Sequence, residues 1–212
     1  MSFTLGTASR DEAFAAANVQ LLAESSQEQI EAAFGPIAGT WKLSKLENAE
    51  AKLIAQGVGW FTRKLLLQAP MTIRLKLEGN ELHQWLMLGH LAFGHQRFEV
   101  GGAEPTKTSA FGKTLLMWYA ITSEGEPIFV CSAFPSDAAT SRPSFTIATS
   151  YEFPSTSAEA AASGGRTFTS HETTIVHHEQ PTERVSSSSH FKEKGTGTLA
   201  ATPRTDAKRK RG

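Results

Sequence analysis

The sequence contains one cysteine, Cys131, so the chain cannot form an internal disulfide bond. It also contains no Asn-x-Ser/Thr acceptor site for N-glycosylation. Both absences favour a reducing compartment and predict a cytoplasmic protein. Cys131 lies in the strand-like segment EPIFVCSAF, where a buried thiol is the expected state.

Long apolar runs and targeting segments are missing as well. No run approaches the roughly 18 apolar residues that a membrane-spanning helix requires. The first residues lack a basic start followed by an apolar core, and Asp11 and Glu12 are unsuited to a transit peptide. The sequence therefore predicts neither a membrane span nor secretion.

Net charge is absent, because 21 Lys and Arg residues balance 21 Asp and Glu residues. The charge is uneven, since the segment after Gly195 is basic and the body before it is mildly acidic. A body without a basic face is not expected to bind nucleic acid. The basic end is consistent with a nuclear-import signal, an anchor to an anionic surface, or an ordinary solvated terminus; its charged residues are Lys208, Arg209, Lys210 and Arg211.

What the chain has in abundance is alternation with a period of two. In MTIRLKLE, apolar Met71, Ile73, Leu75 and Leu77 alternate with polar residues, and the next residues, Gly79-Asn80, are typical of a hairpin turn. Similar segments continue to the end of TERVSSSSHFKEK, and with the strand near Trp41 they give ten. Consecutive short strands without interleaved helices predict an antiparallel meander that closes on itself.

Helical patterns occur in two places. Residues 11–34 have helical spacing, with Ser25 and Glu28 as a capping box for a second short piece, and Gly35-Pro36 ends the pattern. The second place is the segment after Trp41. We therefore divide the chain into a helical extension (1–36), a β domain (37–194) with a flexible insertion (154–166), and a disordered basic tail (195–212).

The segment GTWKLSKLENAEAKLIAQGVGWFTRK carries a family pattern in its Gly-x-Trp-Lys-Leu opening, its Asn, its Gly-Val-Gly and its Thr-Arg-Lys ending. The matching residues are Gly39, Trp41, Lys42, Leu43, Asn48, Gly57, Val58, Gly59, the aromatic Trp60, Thr62, Arg63 and Lys64. This segment resembles the intracellular lipid-binding proteins, which include the fatty-acid-binding and cellular retinoid-binding proteins of the calycin superfamily. The resemblance implies an all-β, ten-stranded antiparallel up-and-down β-barrel (β-clam), with a helix-turn-helix lid after the first strand.

The resemblance also implies non-enzymatic binding and intracellular transport or buffering of fatty acids or other hydrophobic small molecules. A helical lid over a closed sheet provides an entrance, and we expect Phe61 with Leu65 and Trp60 with Leu67 to form its inward stripe. Arg63 and Lys64 are then free for transient contact with an anionic membrane surface. The candidate ligand-binding residues are Leu53, Val58, Trp60, Phe61, Leu65, Ala69, Ile73, Arg184 and Ser186.

The family's Arg-x-Tyr clamp for a carboxylate is incomplete here. Arg184 is followed by Ser186 where the family has Tyr, and the segment PSFTIATSYEF offers no second arginine. If Arg184 faces inward, Ser186 shares that face; in the alternative, Val185 and Phe191 face inward instead.

Three rival interpretations remain open at this stage. Four histidines invite a haem or tetrapyrrole barrel that uses one of them, although adjacent His177 and His178 lie on opposite faces of a strand. A barrel filled by its own side chains would suit an interaction protein, and an enzyme has only the analogy of the fold. We predict a monomer with no catalytic residue, metal or cofactor.

Overall fold

The computed structural model describes residues 9–89, 91–135, 142–153, 166–177 and 183–194. The predicted basic tail, His178 and nearly all of the predicted insertion lie outside these residues. In chain order the elements are α1 (Arg10–Ala16), α2 (Gln27–Phe34), β1 (Gly39–Glu47), α3 (Ala49–Ala55), α4 (Trp60–Gln68), β2 (Met71–Glu78), β3 (Glu81–Leu88), β4 (Leu91–Glu99), β5 (Thr106–Ala110), β6 (Lys113–Ile121), β7 (Pro127–Pro135), β8 (Phe145–Glu152), β9 (Thr167–Val176) and β10 (Glu183–Glu193).

The ten strands form one antiparallel sheet in the order β4-β3-β2-β1-β10-β9-β8-β7-β6-β5. The sheet curls into a nearly closed barrel, because one parallel bridge, between Val100 and Tyr119, joins the β4 side to the β6 side. The prediction of a ten-stranded antiparallel barrel with two helices after its first strand is confirmed. Among the described residues, no helix is long and apolar enough to cross a membrane.

Alternation decides which side chains line the barrel. On β2, Ile73 pairs with Leu86 of β3 and Leu77 pairs with Leu82, so the apolar positions of both strands share the concave face. Arg74 and Lys76, at the intervening positions of β2, are exposed. The period-two pattern therefore gives an apolar inner wall on this side of the barrel.

The helix α2 fills one end of the barrel, which we call the base. Its buried residues, with Ile37, pack against inner residues of five strands, including Leu82, Phe98 and Met117. The Phe34 ring meets the Tyr119 ring edge-on at 5.8 Å between centroids. The base is consequently a dense apolar core.

The helix α1 lies instead on the outer surface of β6 and β7. Phe14 is 2% exposed and packs against Trp118 and Val130. The helices α1 and α2 both begin with a capping box, and the capping box of α2 joins Ser26 to Gln29. The predicted pair of Ser25 with Glu28 is therefore wrong by one residue, because Ser26 and Gln29 satisfy the same Ser-x-x-Glu/Gln spacing.

Trp41 and Arg166 fix the junction between α2 and β1. The Trp41 indole N–H donates to the carbonyl of Ile37 at 2.8 Å, and its ring packs edge-on against Phe168. The Arg166 guanidinium lies 5.2 Å from the centre of the Trp41 ring and donates to the carboxylate of Glu193 at 2.8 Å. This hydrogen bond lowers the pKa of Glu193. The start of the barrel is thereby tied to its last strand.

Candidate ligand-binding site

The helices α3 and α4, which we call the lid, lie at the end of the barrel opposite α2. The Asn48 side chain donates to the carbonyl of Ser186 on β10 at 2.6 Å, so α3 is attached where it begins. Lys52 forms an ion pair with Glu172 of β9, and Gln56 donates to Thr174 at 3.3 Å. The first lid helix is therefore held by side chains that reach the inner face of β9.

The Gly57-Val58-Gly59 segment turns the chain between the two lid helices. Gly57 has a φ of +73°, which disfavours a residue with a side chain. Val58 is 5% exposed, whereas α4 has no buried residue at all. The glycines thus set the turn, Val58 anchors it, and α4 covers the opening without being packed into it.

Beneath the lid, the inner wall is apolar but incompletely covered. Ile73, Leu86 and Ile147 occupy concave positions, yet each keeps intermediate exposure, unlike the fully buried Leu82 and Phe98 near the base. These side chains point away from the outer surface, and Ile73 and Ile147 also pack against the core at the base. The inward-facing apolar residues of intermediate exposure include Leu43, Leu46, Met71, Ile73, Leu77, Leu86, Leu115, Phe129, Ile147 and Val185.

The opposite wall, on β8 to β10, is polar. Thr149, Glu172 and Ser187 are aligned across three neighbouring strands on the concave face. The side chains of Lys52 and Glu172 in the ion pair are only 15% and 20% exposed. The hydroxyl of Ser187 is buried and has no hydrogen-bond partner among the described residues. The interior therefore has one apolar wall and one polar wall, and the polar wall carries a carboxylate.

A pair of tyrosines separates this polar wall from the base. The Tyr119 hydroxyl donates to Gln84 at 2.9 Å and lies 3.3 Å from the hydroxyl of Tyr151. Burial raises the pKa of both tyrosines, and the negative charge of Glu172 raises each further. Both phenols therefore stay neutral and act as hydrogen-bonding groups.

The lone thiol lies on the same inner face. Cys131 is 3% exposed, as the sequence predicts. Burial, with a smaller contribution from Glu172, raises its pKa to about 12. A thiol that remains protonated at neutral pH is a poor nucleophile, so Cys131 offers no basis for covalent catalysis.

The predicted lid residues divide into two groups. Val58 is buried, and Leu53, Ala69 and Ile73 are half-buried at or beneath the lid. The predicted inward stripe on α4 is wrong, because its apolar side chains are mostly in solvent: Trp60 is 64% exposed, Phe61 69% and Leu65 56%. The reason is that α4 lies across an opening, where no packed surface faces it.

Arg184 and Ser186, two of the candidate ligand-binding residues, do not face the interior. Both residues are exposed, whereas Ser187 and Phe191 of the same strand are buried. The alternative orientation, with Val185 and Phe191 facing inward, is the one observed. Glu172 and Ser187 could not be predicted from the sequence, because alternation alone does not tell which polar row of a strand faces inward. Lys52 lies on α3, and its role depends on its distant partner Glu172.

The described histidines belong to no cluster of metal ligands. His171 is bonded to Glu152 at 2.8 Å, and His177 to Thr146 at 2.8 Å. Each lies on the strand face opposite the one that carries Glu172. Within the ranges that the structure describes, no group of three His, Cys, Asp or Glu residues is placed to hold a metal ion.

Comparison with solved structures shows which known proteins share this fold. A structure described as the REP1-NXSQ fatty acid transporter matches 76% of this chain and 97% of its own, with 17% identity and a TM-score of 0.51. The Schistosoma mansoni fatty acid binding protein in complex with arachidonic acid matches 76% and 98%, with 17% identity and a TM-score of 0.53. No protein-family model and no curated protein matches the chain. At this identity the likeness establishes the fold of fatty acid binding proteins.

Proposed function

We propose that the barrel binds a hydrophobic small molecule, such as a fatty acid or another lipid, and carries or buffers it without chemical change. The observation that carries this proposal is the row of inward-facing apolar side chains that keep accessible surface beneath the lid, exemplified by Ile73 and Leu86. The two solved structures of the same fold support it, because one is described as a fatty acid transporter and the other as holding arachidonic acid.

The energetics favour a long apolar guest. Each CH₂ group that moves from water into the barrel contributes roughly 0.8 kcal/mol. A chain of about ten carbons then contributes roughly 8 kcal/mol before the loss of motional freedom is subtracted. After that loss is subtracted, a ten-carbon guest binds more weakly than micromolar, and a longer chain is needed to reach that affinity without a strong polar contact.

Native mass spectrometry of the protein purified from its natural source, followed by lipid extraction, tests the proposal. We expect a mass increment that disappears on denaturation and that matches a lipid in the extract. A protein that carries no such increment and also fails to bind any added long-chain fatty acid, fatty alcohol or fluorescent lipid probe would contradict a carrier function.

We propose further that the lid touches an anionic membrane when ligand is transferred. The support is the exposure of the apolar side chains Trp60, Phe61 and Leu65, next to Lys64 on the same helix. Arg63 contributes less than the sequence suggests, because it is half-buried and donates to the carbonyl of Val58 at 2.7 Å. Apolar side chains flanked by a cation suit the interface of such a membrane.

Replacing both Trp60 and Phe61 with serine should slow ligand transfer to anionic vesicles several-fold, because the apolar contact with the membrane is lost. The measurement is the rate of transfer of a fluorescent lipid from protein to phosphatidylserine-containing vesicles. Glu28→Ser, on the base helix α2, is the matched control and should leave the rate unchanged. Equal rates for the double variant and the control would contradict membrane contact by the lid.

A further inference from the structure

The interior carboxylate of Glu172 bears on which lipid the barrel accepts, an inference that rests on the proposed function. Glu172 lies on the concave face at mid-length of β9, between Ser170 and Thr174 of the same strand. No arginine occupies an inward-facing position on the described strands. The charge that this wall carries at mid-barrel is the carboxylate of Glu172, which is paired with the ammonium group of Lys52.

Two lysines lie near this interior, one paired with Glu172 and the other at the rim. Lys52 of α3 contacts Oε2 of Glu172. Lys113 begins β6 at the rim of the barrel, where its ammonium group lies 5.7 Å from the centre of the Phe145 ring. A ligand carboxylate at mid-barrel would face Glu172 at short range in a medium of low dielectric, and it would lose its hydration. At the uncontacted oxygen of Glu172, a negatively charged head group is therefore disfavoured relative to a neutral one.

A neutral hydroxyl head group, in contrast, could form hydrogen bonds at the same place. The carboxylate of Glu172 accepts hydrogen bonds at both oxygens, and Lys52 contacts only one of them. Ser187, directly across from Glu172 on β10, is 7% exposed and its hydroxyl has no partner among the described residues. A buried hydroxyl without a hydrogen-bond partner costs free energy, so a ligand that accepts a hydrogen bond from it gains affinity. Together the two side chains provide an acceptor and a donor next to each other.

We propose that Glu172 and Ser187 form a head-group site for a lipid with a neutral hydroxyl group, and that the site discriminates against a free carboxylate. The ligand hydroxyl donates to Glu172 and accepts from Ser187. Its apolar part lies along the opposite wall, formed by β2 and β3. The Lys52 contact is retained, so binding does not require the lid helix α3 to leave Glu172.

Calorimetric titration of the full-length chain with 1-decanol and with decanoate at pH 7.5 tests this assignment. We expect decanol to bind more tightly than decanoate. Glu172→Gln, which keeps the shape of the side chain and removes its charge, should strengthen decanoate binding by roughly tenfold and should not strengthen decanol binding. Glu152→Gln, an exposed carboxylate on β8, is the matched control and should change neither affinity.

The outcomes separate the head-group proposal from the carrier function. If both ligands bind equally well and Glu172→Gln changes neither affinity, the head-group site is wrong while the carrier function stands. If decanoate binds more tightly and Lys113→Met abolishes that preference, the head group lies at the rim and the proposal is overturned. If neither ligand binds, the head-group proposal fails, while the carrier function is decided by the native mass spectrometry and the long-chain ligands described above. Should Glu172→Gln fold poorly, Ser187→Ala provides the second test, because it should weaken decanol binding several-fold and leave decanoate unchanged.

Discussion

Replacing Phe34 with alanine should lower the free energy of unfolding by about 3–5 kcal/mol. Phe34 is fully buried at the end of α2, and its ring contacts Tyr119 at the centre of the base core. Alanine would leave a cavity there, and it would remove the main contact that holds α2 inside the barrel. The measurement is urea unfolding followed by tryptophan fluorescence.

Two variants serve as controls for this result. Phe34→Leu keeps most of the apolar volume and should cost less than half as much as the alanine variant. Phe61→Ala removes an exposed ring from α4 and should change the free energy of unfolding by no more than about 0.5 kcal/mol. A Phe34→Ala protein as stable as the wild type would mean that α2 does not close the base.

Replacing Leu86 with tryptophan should weaken the binding of decanol roughly 10- to 100-fold. Leu86 is paired with Ile73 on the apolar wall and keeps accessible surface on the concave side. An indole at this position would occupy the space into which we place the ligand chain. Because the added ring enters unfilled space, we expect the protein to stay folded.

The neighbouring residue offers a matched control on the other face of the same strand. Met87 is 41% exposed and points outward, so Met87→Trp adds the same ring without entering the barrel. Calorimetric titration should show near-normal decanol affinity for Met87→Trp and strongly reduced affinity for Leu86→Trp. Equal affinities for the two variants would place the ligand outside the apolar wall.

The sequence predicts the fold well because two independent patterns agree. Alternation in segments such as Met71–Glu78 fixes strand type, and the Gly-x-Trp opening with its Gly-Val-Gly turn identifies the two helices after β1. Gly57 has a positive φ, which glycine adopts more readily than other residues, so the glycine in the sequence already indicates a turn. Features that depend on neighbouring residues, such as strand alternation and a glycine turn, can therefore be predicted from the sequence.

The site is harder to predict because it depends on register and on distant contacts. In TERVSSSSHF both alternating rows are largely polar, so the pattern does not say whether Arg184 or Val185 faces inward. Glu172 would ordinarily be assigned to the outer face, and only its contact with Lys52, 120 residues earlier in the chain, explains its inward position. Trp60 is exposed because no packed surface faces α4, and the sequence of α4 alone does not show this.

The most direct test of ligand binding inside the barrel is methyl NMR of the protein with bound 1-decanol. We expect intermolecular nuclear Overhauser effects from the decanol chain to the methyl groups of Ile73, Leu86 and Val185, which belong to three strands but share the concave face. Contacts confined to outward methyl groups such as that of Met87, or to the α1 surface, would contradict the account.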